Sequence, residues 1–274
     1  MTQAIITQLI SYPIKSCAGI EYQIIQVNAL GLAGDRQWML VDDNGVFLSQ
    51  RKHPCMALIQ PQIQDNNLIV NAPGMNQLVL DVQSVQEPVE IKVWQDSFLA
   101  QTLGETANQW FSKYLGFTVR LVQYTNVSHR LIDQEFAQRQ QPVAFADGYP
   151  ILVTHESTLS QLNQQLSQPV DMSRFRPNIV VSTQQPAWDE LNWQQLQTTD
   201  LQLDLVKPCS RCVMTGVEQT SGQQTGTEVL KTLSQKFAHQ GKAVFGVNAI
   251  PQLKTGAGTK LAVGAQLTIC QNPH

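Results

Sequence analysis

The sequence is poor in charged residues, and this shortage limits the classes of protein to which it can belong. Only 14% of the 274 residues are Asp, Glu, Lys or Arg, whereas soluble domains average about 25%. The 18 basic residues are outnumbered by 21 acidic ones, which gives a formal net charge of −3. A chain without a basic excess is not expected to bind nucleic acid. Glutamine, with 38 residues spread along the chain, supplies much of the polarity instead.

The sequence also lacks long hydrophobic runs. No apolar segment approaches the roughly 18 residues needed to span a bilayer, and the N-terminus has no basic stretch followed by a small-residue cleavage site. We therefore expect a cytoplasmic protein with no membrane partner. A length of 274 residues allows one large domain or two medium ones.

Cysteines are few and odd in number. Only Cys209 and Cys212 lie close together in the sequence. This pattern favours thiol chemistry or buried thiols in a reducing compartment over a disulfide framework. The five cysteines are Cys17, Cys55, Cys209, Cys212 and Cys270.

The C-x-x-C pair of Cys209 and Cys212 has several interpretations. A structural zinc site would need a second pair of ligands, which the sequence does not offer. A thioredoxin-type pair would open a helix, whereas here a strand-like segment comes first. Two half-buried thiols are one remaining alternative. The other is a single thiolate that binds a soft metal, with Lys207 and Arg211 lowering the pKa of the thiol.

Hydrophobic patterning predicts a mainly β chain, with barrel-like parts and a few helices. Up to about residue 100, short segments rich in Val, Ile and Leu are separated by turn signals. From Glu105, apolar residues at helical spacing predict a helix that ends at Gly116. The polar stretch at residues 125–142 favours a boundary, so we predict one domain over residues 1–124 and a second over residues 125–274.

The second half is also expected to be β-rich, with a helix or two. The segments NIVVS, LQLDLV, AVFGVNAI and LAVGAQLTIC have the composition of strands. Thr154 followed by Ser157 predicts the start of a helix that carries Leu159, Leu162 and Leu166 on one face.

Three polar clusters are candidates for binding groups, and the first of them is suited to an oxyanion. Residues 174–178 (RFRPN) offer forked arginine donors and an amide, and residues 12–19 (YPIKSCAG) form a loop that exposes Lys15 and Ser16. Asp35 and Arg36 form a third cluster. Each also has a plain structural alternative, namely an arginine pair at a strand end, a turn between strands and a salt bridge.

Eight segments occur in the order typical of one family: YPIKSCAG, GLAGDRQWMLVD, FLSQR, FADGYPILV, RFRPNIVV, AWDEL, KPCSRCVMT and FGVNAI. Over about residues 3–270 the chain resembles MOSC-domain proteins that carry the MOSC N-terminal β-barrel domain. It is similar to bacterial N-hydroxylated-compound reductases and to the mitochondrial amidoxime reducing component. The resemblance implies a two-part α+β architecture, mainly β, with the MOSC N-terminal β-barrel domain followed by the MOSC domain.

The resemblance also implies a cofactor and an activity. Members bind the molybdenum cofactor, a molybdopterin whose dithiolene holds molybdenum, and reduce hydroxylamines, amidoximes and N-hydroxylated bases, a detoxifying reaction. By position, Cys212 would be the molybdenum ligand and the catalytic residue, which agrees with a soft metal that needs only one protein thiolate. The implied cofactor-binding residues are Lys15, Ser16, Arg36, Asp147, Gly148, Arg176, Asn178 and Asn248.

This sequence departs from the mitochondrial relatives at two of these positions. Gly148 and Tyr149 stand where those proteins have hydroxyl residues, and Asn248 stands where they have Tyr. Side-chain contacts from Gly148 are therefore not expected, and the role of Asn248 is open.

Two hypotheses about function follow. The first is a molybdenum-dependent oxidoreductase that takes electrons from a separate ferredoxin or flavoprotein reductase, because the chain lacks the C-x4-C-x2-C motif of a plant-type ferredoxin. The second is a sulfur-carrier or cofactor-handling MOSC module that holds a persulfide on Cys209 or Cys212.

Overall fold

The computed structural model describes residues 2–137, 140–254 and 258–271. The prediction of a mainly β fold with few helices is confirmed. Across these ranges there are three α-helices: α1 (Glu105–Leu115), α2 (Glu156–Asn163) and α3 (Glu228–Lys236). No helix within them is both long enough and apolar enough to cross a bilayer.

The strands of the described residues range from 2 to 12 residues and lie in several sheets. In chain order they are β1 (Gln3–Ser11), β2 (Ile20–Glu21), β3 (Ile24–Asn28), β4 (Gly31–Leu32), β5 (Trp38–Val41), β6 (Gln60–Gln64), β7 (Asn67–Asn71), β8 (Leu78–Asp81), β9 (Pro88–Val93), β10 (Asp96–Thr102), β11 (Arg120–Gln123), β12 (Ile151–His155), β13 (Ile179–Thr183), β14 (Trp193–Gln197), β15 (Leu201–Ser210), β16 (Val217–Glu218), β17 (Gln223–Gln224), β18 (Ala238–His239), β19 (Lys242–Leu253), β20 (Thr259–Ala262) and β21 (Gln266–Gln271).

Seven of these strands close into a barrel. Their order is β12, β13, β1, β21, β14, β15 and β19, and β19 returns to β12 by antiparallel pairing that sets Asn248 opposite Leu152. β12 and β13 run parallel, with Val153 opposite Ile179. Because the ring closes, each of these seven strands has a neighbour on both sides.

The first strand belongs to this barrel, although it comes from the first half of the chain. β1 pairs antiparallel with β13, where Ile6 lies opposite Val181, and with β21, where Ala4 lies opposite Leu267. Ala4 and Ile6 are fully buried while their neighbours in β1 are more exposed, as expected for a strand with one face on a core. Residues from both halves thus build the barrel, and the boundary after residue 124 stays a prediction.

Strands β5 to β11 form two further antiparallel sheets. The sheets are β5-β11-β10-β9 and β6-β7-β8, and α1 packs its buried Ala107 and Phe111 into a core that both sheets share. β3 and β4 instead pair with β20, and their buried side chains join the core of the barrel. The prediction that this helix starts at Glu105 and stops at Gly116 is confirmed. Gly116 has a φ of 81°, and its N–H donates to the carbonyl of Ser112 at 2.8 Å, a common helix ending.

The second predicted helix begins later than its sequence pattern suggests. Thr154 lies in β12, where all five residues are buried, and α2 starts only at Glu156 and ends at Asn163, before Leu166. β12 stays extended past Thr154 because it pairs with β13 on one side and β19 on the other. The predicted strands NIVVS, LQLDLV and AVFGVNAI are confirmed, and LAVGAQLTIC divides into β20 and β21.

Candidate functional site

The loop that follows β1 carries a buried lysine. Lys15 is 5% exposed, and its Nζ donates to the carbonyl of Phe145 at 2.7 Å and to Oδ1 of Asp147 at 2.5 Å. Its own N–H bonds the carbonyl of Trp38 at 2.8 Å, which fixes the loop against β5. Lys15 therefore joins the loop after β1 to residues 145–147, which lie just before β12.

The ion pair of Lys15 with Asp147 sets the charge of both groups. Removal from water lowers the pKa of Lys15 to about 8, and Asp147 offsets only part of that shift. Asp147 keeps 59% of its side chain exposed, so burial raises its pKa little, and the charges of Lys15 and then Arg51 hold the pKa of the carboxyl below its ordinary value. At neutral pH the cleft holds a charged lysine that is close to losing its proton.

We predict that anion binding by the cofactor-free protein depends on pH through Lys15. Because the pKa of Lys15 is lowered to about 8, its charge is present at pH 7 and is lost as the pH rises through that value. The affinity for inorganic sulfate, which stays doubly charged, should fall up to about tenfold between pH 7 and pH 9. Isothermal calorimetry at constant ionic strength measures this. Lys15→Met should bind sulfate weakly and without that pH step; the same step in the variant would contradict the assignment.

Arg36 is held by a buried carboxylate and an amide. Its Nη1 donates to Oδ2 of Asp35 at 2.7 Å and to Oδ1 of Asn178 at 2.9 Å, and its Nη2 donates to the carbonyl of Arg176 at 3.3 Å. Burial opposes the charge of Arg36, but Asp35 outweighs it and raises the pKa of Arg36 above its ordinary value. Arg36 is consequently a fixed positive charge on one wall of the cleft.

Asn178 ties the two halves of the chain together beneath this arginine. It is 1% exposed; its Nδ2 donates to the carbonyl of Ile10 at 3.1 Å and to Oδ1 of Asp35 at 2.9 Å. Its Oδ1 accepts from the N–H of Leu152 at 3.1 Å as well as from Arg36. Because both donors and the carbonyl oxygen are occupied within the protein, Asn178 positions Arg36 even though it lines the cleft.

Arg176 has an unused donor. It is 7% exposed, its guanidinium lies over the ring of Tyr12 at 4.1 Å, and its Nη1 reaches Oε1 of Gln219 only at 3.5 Å. Nη2 is buried and has no hydrogen-bond partner in the described structure. Burial lowers the pKa of Arg176 to about 10. A buried cationic donor without a partner is costly, and because Arg176 lines the cleft this donor is available to an anion that enters it.

The other arginine of the RFRPN segment does not face the cleft. Nη2 of Arg174 donates to Oε2 of Glu218 at 2.5 Å, and its Nη1 donates to Oγ1 of Thr225 at 2.7 Å. The hypothesis that both arginines offer donors to one oxyanion therefore needs correction. Arg174 and Arg176 are only two positions apart, but a turn of 3-10 helix at Met172–Phe175 points their side chains in different directions. Arg174 therefore meets an acidic partner and Arg176 does not.

Three of the cleft residues have strained backbones. Ser16, Arg36 and Arg176 have φ values of 66°, 45° and 54°, in the left-handed region that favours glycine. Each such residue costs about 1–3 kcal/mol and persists only where the surroundings fix it. Residues of this kind cluster at ligand-binding sites, and here all three line the same cleft.

Cys212 lies beside an arginine, but this arginine is neither of the two cations that the sequence suggested. Nε of Arg51 donates to Sγ of Cys212 at 3.2 Å, and Nη2 of Arg51 lies 3.7 Å from Oδ2 of Asp147. The two cations proposed from the sequence lie elsewhere. Lys207 pairs with Asp133 at 3.3 Å, and Arg211 donates to Sγ of Cys209 at 3.0 Å. Arg51 is therefore the cation in contact with the sulfur of Cys212.

All nine residues predicted from the sequence line one open cleft. The cleft lies between the barrel and the loops of the first half of the chain. Its lining includes Gly148, where an added Cβ would meet only Cβ of Asp133, at an ordinary contact distance of 3.6 Å. It also includes Asn248, whose Nδ2 donates to the carbonyl of Lys207 at 3.2 Å. The full set is Lys15, Ser16, Arg36, Asp147, Gly148, Arg176, Asn178, Cys212 and Asn248. The role of each in binding a cofactor stays a prediction.

Sequence reasoning missed three residues that build the site. Arg51 belongs to the segment FLSQR, but nothing in that segment indicates that the arginine meets a cysteine 161 positions away. Arg130 is 5% exposed and holds the carbonyls of Ala144 at 2.8 Å and Ala146 at 2.5 Å, which shapes the loop that carries Asp147. Trp94 donates from Nε1 to Oδ1 of Asp147 at 3.2 Å. Among the described residues, no group of three or more His, Cys, Asp or Glu side chains is arranged to hold a metal by itself.

Comparison with known proteins identifies the class to which this architecture belongs. Residues 3–118 match the MOSC N-terminal beta barrel domain and residues 140–268 match the MOSC domain. The chain therefore belongs to the MOSC family, and the resemblance found in the sequence is confirmed.

Relatives within the family carry more specific names. Mitochondrial amidoxime reducing component 2 of Bos taurus is 32% identical over 92% of this chain and 81% of its own length, and the Homo sapiens protein is 31% identical over 83% of this chain and 71% of its own. Molybdenum cofactor sulfurase of Bos taurus is 29% identical over 96% of this chain, but the match spans only 32% of that protein. The crystal structure of the YUAD protein from Bacillus subtilis covers 97% of this chain with a TM-score of 0.45 and 10% identity.

Proposed function

We propose that this protein binds the molybdenum cofactor in the cleft and reduces N-hydroxylated compounds. The observation that carries the proposal is the pairing, in one cleft, of a buried guanidinium donor without a partner on Arg176 and a thiol beside a cation at Cys212. The cleft thus offers one group suited to a phosphate and another suited to a soft metal. The family relationship to amidoxime reducing components supports the same conclusion.

The residues present fit the cofactor. Cys212 would be the protein ligand to molybdenum, and Arg51 would hold its sulfur. Arg176, with its free Nη2, and the hydroxyl of Ser16 would bind the phosphate of the pterin, while Arg36 adds fixed positive charge. When bound, the cofactor would supply two-electron redox chemistry, and the protein would supply orientation and charge.

The proposed reaction consumes two electrons and two protons. A hydroxylamine R–NHOH is reduced to the amine R–NH2, the N–O bond breaks, and the oxygen leaves as water. A separate redox protein, a ferredoxin or a flavoprotein, would supply the electrons. The chain's own contribution is a cleft in which Arg51 holds Cys212 and Asp147 together and Lys15 fixes that carboxylate.

We predict that the cofactor-loaded protein reduces an aromatic amidoxime such as benzamidoxime when reduced viologen is the electron source. With NADH or NADPH alone it should show no turnover, because the sequence has neither a G-x-G-x-x-G motif nor the cysteine set of an iron–sulfur cluster. Chromatography of benzamidine measures the product. Protein from a molybdenum-deprived host is the control and should be inactive. Failure of the loaded protein with viologen would contradict the reductase proposal, and strong NADH-driven turnover would contradict the need for a separate donor.

A sulfur-handling role is the second candidate, and one observation favours it. Cys209 also lines the cleft, and Nη1 of Arg211 donates to its sulfur at 3.0 Å, so a second thiol has a cation of its own. A module of this kind would accept a sulfur atom from a cysteine desulfurase. Mass spectrometry would then find an added sulfur on Cys209 in protein that fails the viologen assay.

A further inference from the structure

A tryptophan occupies a turn position that ordinarily selects glycine. β9 and β10 form a hairpin in which Val93 pairs with Asp96, so Trp94 and Gln95 are the two residues of the turn. Trp94 has a φ of 57°. Two-residue hairpin turns with positive φ at the first position favour Gly there, because a side chain crowds the backbone. A bulky residue at this position is a true outlier and suggests that its side chain is needed.

A second hairpin of the same protein shows the usual solution. β6 and β7 are joined by Asp65 and Asn66, with Gln64 paired to Asn67, and Asp65 has a φ of 52°. Asp tolerates this conformation because its short polar side chain can bond the local backbone. The turn geometry alone therefore does not call for an aromatic residue.

The indole of Trp94 is held at the rim of the cleft. Its ring lies 4.6 Å from the guanidinium carbon of Arg51 and 4.9 Å from the ring of Phe47, at an interplanar angle of 62°. Its Nε1 donates to Asp147 at 3.2 Å. Trp94 nevertheless remains 42% exposed, so much of the ring is open.

These contacts place an aromatic wall next to the proposed metal ligand. Arg51 touches both the indole and Sγ of Cys212, and Phe47 lines the cleft itself. The lining of the cleft also includes the charged side chains of Lys15, Arg36, Arg176 and Arg211. A flat, weakly polar group entering beside Cys212 would find its favourable surface on Trp94 and Phe47.

We propose that Trp94, with Phe47 behind it, is a specificity-determining wall that selects N-hydroxylated substrates with a planar aromatic group over small aliphatic ones. The inference rests on the proposed function and narrows its substrate class. It accounts for the backbone strain at Trp94, the exposure of the ring and its tether to Asp147.

The test compares two substrates that share the reacting group. Benzamidoxime carries a phenyl ring and acetamidoxime a methyl group, so the ratio of their kcat/KM values reports on the ring alone. In the cofactor-loaded protein, Trp94→Gly should lower this ratio about threefold to tenfold, the range that one aromatic contact contributes. Trp94→Phe, which keeps a ring but loses the bond to Asp147, should retain most of the ratio. Asp65→Gly makes the same backbone change in a turn that lines no part of the cleft, and it should leave the ratio unchanged.

Calorimetric titration with both amidoximes gives a second readout that does not require turnover. The wild type should bind benzamidoxime more tightly than acetamidoxime, and Trp94→Gly should remove most of that difference while its thermal transition shows a folded protein. If Trp94→Gly weakened the binding of both amidoximes equally, Trp94 would only support Arg51, and the proposal would be overturned. If the loaded wild type binds the two amidoximes with the expected preference but reduces neither, the reductase function fails and the wall stands.

Discussion

Replacing Cys212 with serine should give a folded protein that retains no molybdenum and has no measurable reductase activity. The hydroxyl of serine is harder than a thiolate and is not ionised near neutral pH, so the bond from protein to metal would be lost. Arg51, which now donates to Sγ of Cys212 at 3.2 Å, would keep its ion pair with Asp147 and hold the wall of the cleft in place. Metal analysis of the purified variant and the viologen assay measure the two effects.

Cys209→Ser is the matched control because it changes the other thiol of the same cleft. Its sulfur accepts from Nη1 of Arg211, a cation that also donates to the carbonyl of Phe175 at 2.9 Å. Loss of a supporting contact of this kind typically costs about 10- to 100-fold at most. Molybdenum should remain bound in this variant. If Cys209→Ser lost the metal and Cys212→Ser kept it, the ligand assignment would be wrong, although family membership would be unaffected.

The fold was predictable where the signal is local. The helix from Glu105 to Gly116 follows from apolar spacing and a glycine that can adopt a positive φ, and both are properties of one short segment. The membership of β1 in the barrel was not predictable, since its partners β13 and β21 lie some 170 or more residues away in the sequence. Helix α3 was not placed from the sequence either, although its buried Val229 and Leu233 have the i, i+4 spacing of a helix.

For the candidate site, the sequence shows which residue types are present but not which residues contact each other. The sequence identifies lysine and arginine in loops as groups that could bind an anion, and Lys15, Arg36 and Arg176 do line one cleft. It cannot tell which arginine already has an acidic partner, so Arg174 and its ion pair with Glu218 looked equivalent to Arg176.

Long-range pairings around the two cysteines were also beyond the sequence. Neighbours in the chain made Lys207 and Arg211 the natural cations for Cys212. The barrel instead places Arg51 of the first half against that sulfur. Such a contact depends on how the two halves pack, which no local pattern encodes.

Arg176→Met should greatly weaken the binding of the cofactor. It should not lower the stability of the cofactor-free protein. Burial lowers the pKa of Arg176 from 12.5 to about 10, so the folded cofactor-free state disfavours the charge. Both values lie above neutral pH, and this penalty is therefore fully present at pH 7 and declines only as the pH rises above about 10. Methionine removes the charge, and its flexible thioether can pack on the ring of Tyr12 in place of the guanidinium.

In the loaded protein the same change should weaken cofactor binding about 10- to 100-fold, the value of one hydrogen bond to a charged group. Retention of molybdopterin by the loaded protein after gel filtration measures the first effect, and the thermal transition of the cofactor-free protein measures the second.

Arg174→Met should give the opposite pair of results. Arg174 lies two residues before Arg176 and is equally buried, but its Nη2 is bonded to Glu218 at 2.5 Å. Its removal leaves Glu218 without its cation, so the thermal transition should fall, while the cofactor should be retained with little change. The two variants therefore separate a charge held for the fold from a charge held for a ligand. The opposite result would be wild-type cofactor affinity in Arg176→Met and a loss of cofactor affinity in Arg174→Met. It would show that the free donor on Arg176 does not mark the phosphate site.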